Sequence, residues 1–130
     1  MAKNLLYLSL LFDNREWHQK ALSMVESLKT IIVKHPGSFG VWTSTAFNIA
    51  AGINEIAIIG INLMPILDNV LLQYLPNKVL QSNFNNSNMP LIKNRKISEE
   101  ISIYLCLNFV CKKPVYSVQA LLQEIQLQSF

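Results

Sequence analysis

Apolar residues recur at helical spacing through the first third of the chain. Residues 4–12 are rich in leucine and would be apolar on almost every side of a helix, which predicts a short, largely buried helix. A second helix is predicted over residues 13–34 with Asp13 as its capping residue, and a third over residues 38–52. The residues predicted to face inward in these two helices are Trp17, Ala21, Val25, Leu28 and Ile32, and then Phe39, Trp42, Ala46 and Ile49.

The pattern changes at residues 55–60 (EIAIIG). Four consecutive apolar positions without polar alternation are typical of a strand that is buried on both faces. The chain then turns at Gly60, and Asn62 is the predicted cap of a fourth helix that ends before Pro76. The residues of this helix predicted to face inward are Leu67, Val70, Leu71 and Tyr74.

Two further strands and a last helix are predicted in the remaining chain. Residues 78–84 form the second strand, and residues 85–100 form a long loop because they show little periodicity. Residues 101–109 alternate strictly, which predicts a third strand with one apolar and one mixed face. The last helix is capped by Ser117.

The order β-α-β-loop-β-α in the second part of the chain is that of an α/β protein. Alternating strands and helices favour right-handed crossovers and parallel pairing. We therefore predict helical hairpins at residues 1–52, followed at residues 53–130 by a small three-stranded, mainly parallel sheet with helices on both faces. A length of 130 residues suits one compact globular body.

Composition and charge restrict the function without identifying it. The chain is 51% hydrophobic and only 15% charged, so we expect a partner to cover some of its apolar surface. The net charge of +3 comes from scattered residues and one short cluster, Lys93, Arg95 and Lys96. This cluster lacks interleaved aromatic residues, which predicts a solvated loop and no nucleic-acid binding.

No segment of the sequence indicates a membrane-spanning helix or a signal peptide. The apolar run at residues 4–12 is shorter than the roughly 20 residues that a spanning helix needs. No small-residue cleavage site follows it. We therefore expect a cytoplasmic protein with no membrane partner.

Cys106 and Cys111 are the two cysteines of the chain. On one regular strand, residues five apart point to opposite faces, and no disulfide or shared metal forms without a bend. Residues 109–114 could supply that bend, so two interpretations stay open: buried structural thiols, which we favour, and a redox or metal role. No histidine lies nearby in sequence to complete a zinc site, and we predict no metal and no cofactor.

The turn from Gly60 to Asn62 is the candidate ligand site. It follows a predicted parallel strand and precedes a helix, which is where open α/β sheets bind ligands and helix dipoles attract anions. A single glycine is far from a phosphate-binding fingerprint. A tight turn is therefore the favoured interpretation, and an anion or nucleotide site is the alternative.

No combination of side chains indicates catalysis. His18 and His35 lack an identifiable partner within hydrogen-bond reach. Glu16 and Glu26 do not resemble the opposed carboxylates of a glycosidase. We predict no catalytic residue in this chain.

Several segments together resemble a known family. They are residues 2–6 (AKNLL), 17–21 (WHQKA), 55–60 (EIAIIG), 76–79 (PNKV), 89–91 (MPL) and above all 104–115 (YLCLNFVCKKPV). The chain is similar, over nearly its whole length, to the C-terminal end of large thioredoxin-domain-containing proteins, relatives of the spermatogenesis-associated thioredoxin-like protein.

The resemblance implies a parent protein of three parts. These are an N-terminal thioredoxin-like domain, a central α/α toroid similar to sugar epimerases and six-hairpin glycosidases, and this α/β end. Residues 1–52 would then be the closing helices of the toroid. The resemblance implies a non-catalytic structural or interaction module whose partners are the missing thioredoxin-like and toroid regions, or a second copy of the chain. The alternatives are a small-molecule or thiol-redox module and, third, part of a sugar-modifying enzyme.

Overall fold

The computed structural model describes residues 1–83 and 88–128. The chain divides into two compact units, Met1–Ile53 and Asn54–Phe130. The described helices of the first unit are α1 (Ala2–Phe12), α2 (Arg15–Ser27), α3 (Lys29–Lys34) and α4 (Gly40–Ala51).

A tight turn joins α1 to α2. Asp13 adopts a left-handed conformation (φ 51°) and ends α1, while the side chain of Asn14 accepts the Trp17 N–H at 3.0 Å and caps α2. Asp13 was predicted as this cap, and that prediction is wrong by one residue. A residue in the left-handed conformation ends a helix, so the capping role passes to the next residue.

Residues 13–34 form two helices rather than the single one predicted. Leu28 separates α2 from α3, with φ −105° and ψ 2°, outside the helical region. The run at residues 30–33 (TIIV) follows the break at once. Its β-branched side chains are restricted in rotamer and lower the helix propensity, which favours an interruption here.

Burial in the first unit is less complete than the sequence predicts. Trp17 was predicted to face inward, but it is 37% exposed. α1 buries one side, yet Leu8 and Phe12 are 39% and 51% exposed. α4 buries the polar residues Thr45 and Asn48, while Phe47 is exposed. The prediction that α1 is apolar and buried on almost every side is therefore wrong for its outer face.

The described residues of the second unit form a mixed sheet and two helices. Its elements are β1 (Asn54–Ile59), α5 (Met64–Leu72), β2 (Lys78–Ser82), β3 (Ser102–Leu107), β4 (Val110–Cys111) and α6 (Val118–Gln128). The strands of the described residues form one four-stranded sheet in the order β2-β1-β3-β4. β1 pairs parallel with β2 and antiparallel with β3, and β3 pairs antiparallel with β4. The α/β class is confirmed, but the sheet has four strands rather than three and is mixed rather than mainly parallel.

The direction of β3 follows from the segment before it. Ser82 ends β2 at the same end of the sheet as the end of β1. Ser102, which pairs with Ile59, begins β3 at that end too. Residues 88–101 form turns without a helix, so this described part of the connection does not supply the helical crossover that parallel pairing usually requires. Phe84, the predicted end of the second strand, and residues 85–87 of the predicted loop lie outside the described residues.

α5 and α6 pack on the same face of the sheet rather than on opposite faces. The core on this face consists of Ile56, Ile58, Leu63, Val70, Ile103, Leu105, Val118 and Leu121. The hydroxyl of Ser117 accepts the Ala120 N–H at 3.2 Å, which confirms the predicted cap. Leu71 and Tyr74 were predicted to face inward, but they are 54% and 91% exposed, and Tyr74 lies beyond the end of α5.

Candidate functional site

The four candidate residues lie at opposite ends of the sheet. Gly60 and Asn62 follow the end of β1, whereas Cys106 pairs with Glu55, near the start of β1, and Cys111 pairs with Cys106. Because a strand rises about 3.3 Å per residue, the two locations are roughly 16 Å apart. The structure therefore has two candidate sites and does not bring the cysteines to the turn.

Close packing requires a glycine at position 60. Gly60 has φ +156°, and a Cβ atom there would lie 2.9 Å from both Cα and Cγ1 of Ile101. The Gly60 N–H donates to Oδ1 of the buried Asn83 at 3.0 Å, and the Ile61 N–H donates to the Ser98 carbonyl at 3.0 Å. The tight-turn interpretation thus accounts for Gly60 without a ligand.

Asn62 does not cap α5. It has φ 59°, and the N-cap position is taken by Leu63, which makes no side-chain capping bond. Asparagine tolerates the left-handed conformation better than most residues with a Cβ atom, which explains its place in this turn. The prediction of Asn62 as the helix cap is wrong.

A pocket of about 260 Å³ opens beside this turn. Its lining residues are Gly60, Ile61, Asn62, Leu63, Met64, Asn83 and Ile97. The volume lies just below the roughly 300 Å³ at which small-molecule pockets commonly begin. Each of these lining residues is uncharged, so the pocket offers hydrogen bonds but no countercharge for a phosphate.

Cys106 and Cys111 form a disulfide across the β3–β4 hairpin. The sequence predicted a strand that continued to residue 109, and it favoured buried free thiols. The strand instead ends at Leu107, and Asn108 and Phe109, with φ 51° and 62°, form a two-residue turn of the kind that closes hairpins. This turn puts the two cysteines opposite each other, and a redox role for them stays a prediction.

Glu55 is fully buried beside this hairpin. Its Oε2 accepts the Phe109 N–H at 2.9 Å, and its side chain lies on the same face of the sheet as that of Cys106. The bond stabilises a turn in which a bulky residue holds an uncommon left-handed conformation. Sequence reasoning missed Glu55, although a charge at the start of an otherwise apolar, buried strand was the available signal.

Arg95 lies against the sulfur of Cys111. Its Nη2 is 2.9 Å from Cys111 Sγ, its Nε donates to the Leu91 carbonyl at 2.7 Å, and its guanidinium stacks over the Tyr104 ring at 3.8 Å. These three contacts fix the orientation of the guanidinium. The predicted solvated cluster is correct for the exposed Lys93 and Lys96, but wrong for the half-buried Arg95.

The histidines and carboxylates do not assemble a further site in the described residues. His18 Nδ1 is 3.3 Å from the Ser9 hydroxyl, and His35 follows α3 as its C-cap. Within residues 1–83 and 88–128, no group of three or more His, Cys, Asp and Glu side chains could hold a metal ion. The same residues include no helix of the length and apolar character needed to cross a membrane.

Comparisons of the chain with protein-family models, with curated proteins and with solved structures gave no match.

Proposed function

We propose that the chain is a non-catalytic structural and interaction module of a larger, cytoplasmic thioredoxin-domain-containing protein. The observation that carries this proposal is a group of exposed apolar side chains at the α1–α2 hairpin, Leu8, Phe12 and Trp17, which we call the hairpin patch. They are 39%, 51% and 37% exposed. Leu8 and Phe12 lie one turn apart on α1, and the Phe12 and Trp17 rings meet edge to face with centroids 6.2 Å apart.

Contiguous exposed apolar side chains rimmed by polar residues mark contact surfaces, and aromatic residues dominate the energy of such contacts. We propose that helices of the same larger protein cover the hairpin patch. In the family that the chain resembles, the residues equivalent to 1–52 close an α/α toroid, and the neighbouring toroid helices would supply the matching apolar surface. The all-helical character of the first unit supports this occupant.

Self-association of the isolated chain tests the proposal, because a second copy is then the available cover for the patch. Sedimentation velocity should show dimers or larger species that grow with concentration. Phe12→Ser combined with Trp17→Ser should weaken association at least about tenfold, since each half-exposed aromatic contributes roughly 1 kcal/mol when it is buried. The matched control is Leu72→Ser with Tyr74→Ser, which removes two more exposed side chains from the second unit and should leave association unchanged. A wild-type chain that stays monomeric at high concentration contradicts the proposal.

The size of the native protein gives a second test. An antibody against this chain should detect a band several times heavier than 14.8 kDa in extracts of the source cells. A band at 14.8 kDa would mean that the chain works alone.

Small-molecule binding at the turn is the second candidate, and the pocket beside Asn83 is the observation that favours it. The uncharged lining favours a small, neutral, polar ligand over an anion or nucleotide. At least one compound in a ligand screen should raise the melting temperature of the wild-type chain. Ile97→Trp fills the pocket and should abolish that increase. No stabilisation by any compound in a broad panel counts against binding. No carboxylate is among the residues lining this pocket, so a sugar-modifying activity gains no support from it.

A further inference from the structure

The two cysteines of the hairpin differ in their exposure to solvent. Cys106 lies on β3 and is fully buried, whereas Cys111 lies on the two-residue edge strand β4 and is partly exposed. A thiol that approaches from solvent therefore reaches the Cys111 sulfur first. Thiol–disulfide exchange depends on such access and on which sulfur is attacked.

The surroundings of the two cysteines also differ. The Arg95 guanidinium contacts Cys111 Sγ at 2.9 Å, whereas the carboxylate of Glu55 lies on the Cys106 side of the hairpin. A cation in contact with sulfur stabilises the thiolate, which is the reactive form of cysteine. Lys112 is adjacent to Cys111 in sequence, but its ammonium pairs with Glu124 at 2.8 Å.

We propose that Cys106–Cys111 is a thiol–disulfide exchange site whose partner is a dithiol, or the disulfide formed from that dithiol. This inference is independent of the role of the hairpin patch. A thiolate of the partner attacks Sγ of Cys111, the Cys106–Cys111 bond breaks, and Cys106 leaves and takes up a proton. The second thiolate of the partner then attacks the partner's own sulfur in the mixed disulfide, and Cys111 leaves as a thiolate beside Arg95.

Two electrons pass from the partner dithiol, which is oxidised to a disulfide, to the cysteine pair, which is reduced. One of the two thiol protons ends on Cys106, and the other is released to solvent. In the reverse direction, the Cys111 thiolate attacks a partner disulfide, and Cys106 resolves the mixed disulfide. The short turn at Asn108 and Phe109 keeps the two sulfurs on facing strands, ready to close again.

Reduction of the folded chain is the first test. We expect millimolar dithiothreitol to reduce the pair under native conditions, as measured by mass spectrometry of the alkylated peptides. A pair that is reduced only after unfolding in urea is a purely structural disulfide, and this result would overturn the proposal.

Alkylation of the reduced, folded chain is the second test. Iodoacetamide should modify Cys111 faster than Cys106 at neutral pH. Arg95→Gln should slow modification of Cys111 roughly tenfold and shift its pH profile upward, because the thiolate loses the cation that contacts it. Arg95→Lys keeps the positive charge but loses the stacked guanidinium, so its rate should lie between those of the wild type and Arg95→Gln.

The matched control for these variants is Lys112→Gln. It removes a neighbouring positive charge that Glu124 already neutralises, so the rate at Cys111 should change by no more than about twofold. Equal modification of both cysteines in the wild type would overturn the proposal. So would an Arg95→Gln variant whose pH profile matches that of the wild type.

Discussion

Replacement of Gly60 by alanine should destabilise the second unit by about 2–4 kcal/mol. The added Cβ would lie 2.9 Å from Cα of Ile101, a backbone atom that no side-chain rotation can remove, and 2.9 Å from its Cγ1. Overpacking of this kind costs about 1–3 kcal/mol. The conformation at φ +156°, which residues with a Cβ rarely adopt, adds about 1 kcal/mol or more.

The assay must report on the sheet itself. Trp17 and Trp42 both belong to the first unit, so tryptophan fluorescence would follow the other half of the chain. Native-state hydrogen exchange of peptides from β1 and β3 measures the opening of the sheet directly. A loss of about 3 kcal/mol would speed the exchange of these amides roughly 100-fold.

Gly40→Ala is the matched control. A Cβ at Gly40 would meet nothing within 4 Å, and this residue is the first of α4. Alanine there should be neutral or stabilising by up to about 1 kcal/mol. Unchanged exchange of β1 in the Gly60→Ala variant would refute the packing argument, and so would effects of equal size from the two substitutions.

Two further predictions concern titratable groups, the buried Glu55 and the half-buried Tyr7. Glu55→Ala should destabilise the second unit by about 1–3 kcal/mol, since it removes the acceptor of the Phe109 N–H, whereas Glu55→Gln retains an acceptor and should cost less. Urea denaturation followed by circular dichroism ranks the two variants, and the reverse order would contradict the assigned bond. Burial raises the pKa of the Tyr7 phenol above its usual value of 10.0, so the folded state favours the neutral form. The contribution of Tyr7 to stability is full below its unfolded-state pKa and is lost as the pH rises through its folded-state pKa. Ultraviolet titration of the wild type, compared with Tyr7→Phe, should show one phenol that titrates late. A Tyr7 phenol that titrates at or below the usual value would contradict the raised pKa.

Local patterns predicted the elements that have a clear signal within a few residues. β1 was predictable because its apolar run is short, rich in β-branched isoleucine and closed by Gly60, which favours a strand covered on both faces. The cap at Ser117 was predictable because its hydroxyl bonds within its own turn. The pattern erred by one residue at the start of α2, where Asp13 and Asn14 are both good caps and only the turn geometry selects between them.

The candidate exchange site at Cys106 and Cys111 depends on contacts between residues far apart in sequence, which no local pattern predicts. Arg95 and Cys111 are 16 residues apart in sequence, and Glu55 and Phe109 are 54 apart. The hairpin turn was missed because Asn108 and Phe109 lack the glycine that usually marks such turns. Glu55 supplies from another strand the hydrogen bond that helps to hold the turn.

The phenylalanine at position 109 supports a role for the hairpin in thiol–disulfide exchange, beyond the crosslinking of two strands. A bulky residue in the left-handed conformation costs about 1–3 kcal/mol, which glycine would avoid. Phe109 and Cys111 both pack against the cluster formed by Ala57, Leu91 and Cys106, in which Cys106 is fully buried while Cys111 is partly exposed. An exchange site needs one cysteine that a partner can reach, and this difference in exposure provides it. Phe109→Gly should keep the hairpin, because glycine adopts the left-handed conformation without strain. It should raise the alkylation rate of reduced Cys106 toward that of Cys111. If the ratio of the two rates stays at the wild-type value, Phe109 does not protect Cys106.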